Sequence, residues 1–212
     1  MKILITSGGC KVPIDEVRHI GNFSSGLYGR ELGEVFLDAG HEVIFFFEKG
    51  SQCPQCCMRG LSYSKLQRFI YKDYQEYLQV KDLITLHKPD IIISAAAISD
   101  YILDKTEGKI SSDQDTLTLT LKKGEKIIKS FRELAPNAFI VGFKLLVSPT
   151  YEERWKAISK VSEYCDAVIY NDLTELRKGN SGRDLCHPLG DNTNLSVGKV
   201  VKHILELQKY KL

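Results

Sequence analysis

No apolar run in the 212-residue sequence reaches the roughly 18 residues that a membrane span requires, and the opening MKILITSGG enters a strand pattern at once rather than a signal-peptide pattern. Neither a span nor a leader is expected, and a cytoplasmic setting follows. Charge of one sign is also missing: 29 Lys and Arg against 27 Asp and Glu leave a net +2, with no long block of either. Nucleic acid and anionic membranes therefore find no broad electrostatic footprint, and any anion site must be local. Gly (16) and Pro (6) are too few for collagen-like or low-complexity classes, while 43% apolar and 26% charged residues describe an ordinary folded chain. Against a typical domain of about 150 residues, one domain over 1–212 is expected, with room for an excursion.

Several motifs are absent as well. There is no GxGxxG fingerprint, no P-loop and no HExxH, which removes the common dinucleotide, ATPase and metalloprotease signatures. Six cysteines stand at 10, 53, 56, 57, 165 and 186, and in a reducing compartment these are thiols or ligands rather than disulfides. Cys53-Pro54-Gln55-Cys56-Cys57 offers a CxxC pair, but no second pair completes a four-ligand set, so no protein-held metal is expected.

What is present is an alternation of short apolar runs with helical patterns. Ile3–Thr6 reads as a buried strand ending at Ser7-Gly8-Gly9, followed by a long polar loop to Phe23 and a helix from Ser24, with Ser24 or Ser25 as N-cap and Gly40 as its stop. Glu42–Phe47, Arg68–Tyr71, Asp90–Ser94, Phe139–Lys144 and Ala167–Tyr170 read as further strands. Helices are expected at Tyr74–His87, Glu125–Leu134, Tyr151–Tyr164 (Tyr151, Trp155, Ile158 and Val161 inward) and from Val197, with a polar loop or hairpin over 178–195. The pattern predicts a Rossmann-like, doubly wound, mainly parallel α/β sheet. Strict alternation in Thr116–Leu121 predicts a half-buried antiparallel strand, an excursion near 109–122.

Three segments could carry chemistry. Ser7-Gly8-Gly9 and Asn22-Phe23-Ser24-Ser25-Gly26 flank one crossover, where free amides at a helix start attract phosphate; either alone would serve equally as a turn. Arg18 can fork onto a carboxylate or phosphate and Asp15 could orient it, or the two could form a surface pair. Ala95-Ala96-Ala97 lets a flat ligand approach the backbone, and Asp100 offers an acceptor. Close helix packing is the competing use of those alanines.

GGCKVPIDEVRHIGNFSSG from Gly8 to Gly26, Ala96-Ala97-Ile98-Ser99-Asp100-Tyr101, Lys109-Ile110-Ser111-Ser112 and Gly142-Phe143-Lys144-Leu145 with Asn171-Asp172 downstream resemble the phosphopantothenoylcysteine synthetase family in order and spacing. KISS, LKKGEKII and GFKLLV look most like the short, stand-alone bacterial enzymes. The resemblance implies ligation of 4'-phosphopantothenate to L-cysteine through an acyl-nucleotidyl intermediate, with Mg²⁺, with CTP ahead of ATP as the nucleoside triphosphate, and as a homodimer. It further implies Lys109 as the cation of the first half-reaction and Asn22 as holder of the intermediate, with Arg18 supporting loop or substrate. Gly8, Gly9, Ser24, Ser25 and Gly26 would contact phosphates, and Ala96, Asp100, Glu125, Lys126, Ile127, Ile128 and Phe143 would frame base and ribose. Cys10 replaces the family's Thr and Lys11 its common Arg, while Ser111 and Ser112 replace lysines of the fused bacterial enzymes. Two alternatives stay open: an NAD(P)-dependent reductase, kept alive by Glu48 after the second strand, and a catalytically inactive nucleotide-binding relative.

Overall fold

The computed structural model describes residues 1–55, 63–188 and 190–210; Cys56 and Cys57 lie outside them. In chain order come β1 (Lys2–Ser7), β2 (Lys11–Pro13), β3 (His19–Gly21), α1 (Leu27–Asp38), β4 (Glu42–Glu48), β5 (Leu66–Tyr71), α2 (Tyr74–Tyr77), α3 (Val80–His87) and β6 (Ile91–Ser94). There follow β7 (Tyr101–Ile102), β8 (Lys122–Lys123), α4 (Ile128–Leu134), β9 (Phe139–Leu146), α5 (Tyr151–Ser162), β10 (Ala167–Asp172), α6 (Leu173–Arg177), β11 (Arg183–His187), β12 (Gly190–Leu195) and α7 (Val197–Lys209).

Eight strands form one sheet in the order β12-β11-β10-β9-β6-β1-β4-β5. From β5 to β10 neighbours run parallel, and β11 and β12 return antiparallel. The parallel strands alone follow the 3-2-1-4-5-6 sequence of a Rossmann sheet, as expected. Period-two alternation splits the core: Leu4, Ile44, Phe46, Ile92 and Val168 pack under α3, α4 and α5, whereas Ile3, Ile5, Phe45, Ile93 and Ile169 pack under α1 and α7. Phe36 of α1 is fully buried on the second face, where truncation to Ala would cost about 3–5 kcal/mol.

The structure departs from the sequence reading in local detail. The loop to Phe23 contains a β2–β3 hairpin, with Val12 opposite Ile20. Neither Ser24 nor Ser25 caps α1; Gly26 does, with φ 74°, a left-handed conformation that glycine adopts without strain. Tyr74–His87 is two helices, broken at Leu78-Gln79 by three-residue hydrogen bonds. The helix expected from Glu125 begins at Ile128, and Tyr151 is 74% exposed rather than inward. The expected strand at Thr116–Leu121 is not formed. Its alternation has no partner strand, so Leu117 and Leu121 remain 48% and 43% exposed, and the antiparallel excursion reduces to the β7–β8 ladder, Tyr101 opposite Lys123.

Two glycines should respond oppositely to alanine. A Cβ at Gly29 would collide with the Ser7 side chain, whereas one at Gly198, within α7, meets nothing within 4 Å. Gly29→Ala should lower stability by about 1–3 kcal/mol and Gly198→Ala should raise it by about 0.5 kcal/mol, read from denaturant midpoints.

Candidate active site

The site is built where the sheet's strand order reverses, beyond the carboxyl ends of β1 and β6. Gly9 bridges Ala97, and the Ala97 N–H donates to the Gly8 carbonyl at 2.9 Å. Gly8 has φ +91° with the Ser51 side chain against it, and a Cβ on Gly9 would lie 2.7 Å from the Asn22 carbonyl. Glycine is therefore required twice, at Gly8 by positive φ and the Ser51 side chain and at Gly9 by close backbone approach. The β2–β3 hairpin folds back over this turn, so that the Asn22 side-chain amide donates to the Ala97 carbonyl at 2.8 Å. Beneath, the buried Tyr71 hydroxyl lies 2.9 Å from both the Ser7 and Gly9 carbonyls.

An open cleft of about 1000 Å³ spreads from this point. One wall is Ser24, Ser25, Gly26 and the first turn of α1; the floor is Ala95–Ala97 with Asp100; the facing wall is Glu125, Lys126, Ile127, Ile128 and Phe143. Helix-start amides without intrahelical partners and the helix dipole make the first wall suited to phosphate. The alanine floor and the Phe143 ring, edge-on to Tyr28 at 5.9 Å, suit a flat ring system. Glu125 is fixed at both ends: its N–H donates to the Tyr74 hydroxyl at 2.9 Å and its carboxylate accepts from Lys81 at 2.6 Å.

Gly8, Gly9, Asn22, Arg18 and Lys109 do not line the cleft. The two glycines and Asn22 form the turn beside it, whereas Arg18 and Lys109 belong to the 14–18 and 108–110 segments, which are bonded to each other. The Asp15 carboxylate, on a residue only 2% exposed, accepts from Arg18 and from the backbone N–H groups of Val17, Arg18 and Ile110. Arg18 Nη2 also donates to the Ile110 carbonyl at 2.8 Å, and the Glu16 N–H donates to the Gly108 carbonyl at 3.0 Å. Lys109 is thus exposed on a backbone pinned on either side to the 14–18 turn. Arg18 acts here by positioning that segment.

Residues 1–185 match the family described as the DNA/pantothenate metabolism flavoprotein C-terminal domain. The chain belongs to this family. It is 33% identical over 181 residues to the coenzyme A biosynthesis bifunctional protein CoaBC of Methanocaldococcus jannaschii, covering 82% of this chain and 41% of that protein. It is 29% identical over 220 residues to phosphopantothenate–cysteine ligase 1 of Arabidopsis thaliana, covering 81% of this chain and 69% of that one. The crystal structure of the DNA/pantothenate metabolism flavoprotein from Streptococcus pneumoniae superposes with a TM-score of 0.85 at 27% identity, covering 99% of each chain. The chain thus spans less than half the length of the archaeal bifunctional relative.

Within this family fold, the sequence reading missed Tyr28, Lys144, Ser181 and Arg183, all cleft-lining. Ser181 and Arg183 come from the Gly- and Asn-rich stretch expected to be a polar loop or hairpin; it forms the β11–β12 hairpin, whose antiparallel return brings Arg183 to Tyr28 of α1. Three of the thiols are poorly placed to act as nucleophiles. Cys10, Cys165 and Cys186 are buried and free, and burial pushes all three up, Cys165 to about 12 and Cys186 to about 11. A second hollow of about 300 Å³ lies behind Asn171, but its Thr150 and Asp172 side chains cap α5 and α6, and its Asp184 pairs with Arg154 at 3.0 Å.

Arg18, and next to it the N–H donors, hold the Asp15 carboxyl far below the usual carboxylate range against the opposing effect of burial. A lowered folded-state value contributes stability that is fully present above the unfolded value near pH 4 and is lost as pH falls below it. Asp15→Asn should therefore melt below the parent at neutral pH, with the difference narrowing under about pH 4. Limited proteolysis should also cut the variant faster within 103–121.

Proposed function

We propose that this chain ligates 4'-phosphopantothenate to L-cysteine, through an acyl-nucleotidyl intermediate, in coenzyme A biosynthesis. The observation that carries the reading is that the Gly8-Gly9 turn and Asn22 hold the Ala96–Asp100 segment that lines the cleft, in a family whose members include proteins named phosphopantothenate–cysteine ligase. A carboxylate is a poor electrophile until one oxygen becomes part of a leaving group. In the first half-reaction a carboxylate oxygen of phosphopantothenate attacks the α-phosphorus of the triphosphate and pyrophosphate departs. In the second, the cysteine amine attacks the acyl carbon and nucleoside monophosphate departs.

The phosphates lie along Ser24, Ser25, Gly26 and the start of α1, with Gly8 and Gly9 shaping the turn below. Ala96, Asp100, Glu125–Ile128 and Phe143 hold base, ribose and acyl substrate. Lys109 reaches over from its pinned segment to stabilise phosphate charge in the first step. Asn22, whose amide is oriented by the Ala97 carbonyl, holds the intermediate for the second. Mg²⁺ accompanies the triphosphate, to neutralise charge as pyrophosphate leaves. Among the described residues no three His, Cys, Asp or Glu side chains converge, so its ligands are chiefly phosphate oxygens and water. Of the cleft carboxylates, Glu125 is tied to Lys81 and Glu34 to Arg30, which leaves Glu31 and Asp100 to assist.

CTP is the proposed donor and ATP its alternative, on the likeness of Lys109–Ser112 and Glu125–Ile128 to short bacterial enzymes. A homodimer is supported by exposed Val17 (62%), Ile20 (37%) and Phe23 (108%) around the hairpin, an apolar face that a second copy would cover. No helix among the described residues is long and apolar enough to cross a membrane, and the free thiols suit the cytoplasm. The reductase alternative requires an acid free to bind ribose after β4, but Glu48 is 6% exposed and engaged by Lys11 at 2.5 Å and Ser51 at 3.0 Å.

Purified protein supplied with Mg²⁺, phosphopantothenate, L-cysteine and either CTP or ATP should release pyrophosphate only when phosphopantothenate is present. Product should form only with cysteine. Lys109→Gln should slow intermediate formation about 10²–10³-fold, as loss of one preorganised donor does. Asn22→Asp should still release pyrophosphate but accumulate the acyl-nucleotide. Folded protein inert with both nucleotides would overturn the ligase reading and favour the inactive relative.

A further inference from the structure

A triphosphate seated at the start of α1 meets an electrostatic problem. Glu31 and Glu34 of the same helix also line the cleft. Lys11 is engaged with Glu48, and Arg30 of α1 with Gln52 at 2.8 Å and Glu34 at 3.6 Å, whereas Lys144 lines the cleft from β9 with no ion pair among the described residues. Across the cleft, Lys126 leans over the Tyr164 ring at 4.9 Å.

Arg183 differs. It enters the cleft from the first residue of β11, where Glu31 of α1 is near enough to act on it electrostatically without forming an ion pair. Its Nη1 donates to the Ser181 and Gly182 carbonyls, at 2.7 and 3.1 Å, and its guanidinium lies 4.8 Å from the centre of the Tyr28 ring. Its Nε is buried without a partner. Tyr28 belongs to the first turn of α1, between Gly26 and Gly29, so the charge stands one side chain away from the phosphate-binding amides. A guanidinium held at Nη1 and lying over a ring leaves Nη2 for an oxyanion, with the enclosed Nε still lacking an acceptor.

We propose that Arg183 receives the outer phosphates of the nucleoside triphosphate, and the pyrophosphate released from them, a role that rests on the ligase reading above. Tyr28 is its positioning residue: the ring sets the plane of the guanidinium and touches no phosphate itself.

The test is binding of CTP, ATP, their monophosphates and pyrophosphate to parent, Arg183→Ala and Arg183→Lys, alongside kcat and KM for the triphosphate. Arg183→Ala should weaken triphosphate and pyrophosphate binding about ten- to a hundredfold, the size of a lost hydrogen bond to a charged group, while monophosphate affinity stays within about twofold. Arg183→Lys keeps the charge without the guanidinium and should fall between; it carries the same comparison if the alanine variant does not fold. Tyr28→Leu should raise the triphosphate KM with little change for the monophosphate. Equal loss for mono- and triphosphate would show that Arg183 only props α1, and would overturn the proposal. A parent that binds triphosphate while Arg183→Ala binds it as tightly overturns this inference alone. A parent that binds neither triphosphate overturns the ligase reading along with it.

Discussion

The contact on which the site depends is between two stretches of backbone. With Gly9 lacking a side chain, the Asn22 carbonyl can settle where a Cβ would stand only 2.7 Å away. That approach lets the β2–β3 hairpin lie back over the turn after β1, and only then does the Asn22 amide meet the Ala97 carbonyl across the gap between β1 and β6. The Tyr71 hydroxyl supports the same turn from the core. A side chain at position 9 would lift the hairpin, and with it the loop segment that the hairpin carries.

That dependence runs on through Asp15. Its buried carboxylate gathers one guanidinium and three backbone donors from two chain segments, so the hairpin turn and the backbone around Lys109 move as one body. The cation proposed for the first half-reaction is thereby tied to the same hairpin that carries Asn22. The residues proposed for the two half-reactions share one support although 87 positions of sequence, from Asn22 to Lys109, separate them.

The strands and the mainly parallel sheet were legible because buried parallel strands are short apolar runs between turn residues, and Ile3–Thr6, Glu42–Phe47 and Asp90–Ser94 have few other readings. The position of Ser7-Gly8-Gly9 and of Ala95–Asp100 beyond strand ends was legible for a related reason: in each case small residues follow directly on an apolar run. Thr116–Leu121 misled because alternation reports a pleated segment only if a partner strand exists, and alternation says nothing of partners. The cap of α1 misled because Ser24 and Ser25 have the better cap chemistry, yet the turn geometry calls for positive φ, which glycine supplies. Arg183 was invisible for a topological reason: its neighbour Tyr28 is brought to it by the sheet's last antiparallel return.

The position of β1 also bears on how the chain reaches its folded state. It is the first strand in the sequence and lies between β4 and β6, where Lys2 must find Glu42 and Ile3 must find Ile91. Both partners follow β1 in the sequence, so its pairing is completed only once β6 has been made. Such non-local pairing folds slowly and leaves Ile3, Leu4 and Ile5 without cover in the interval. The glycine turn that follows β1 cannot be pinned until β6 arrives, so the active-site turn and the centre of the sheet become ordered in the same event.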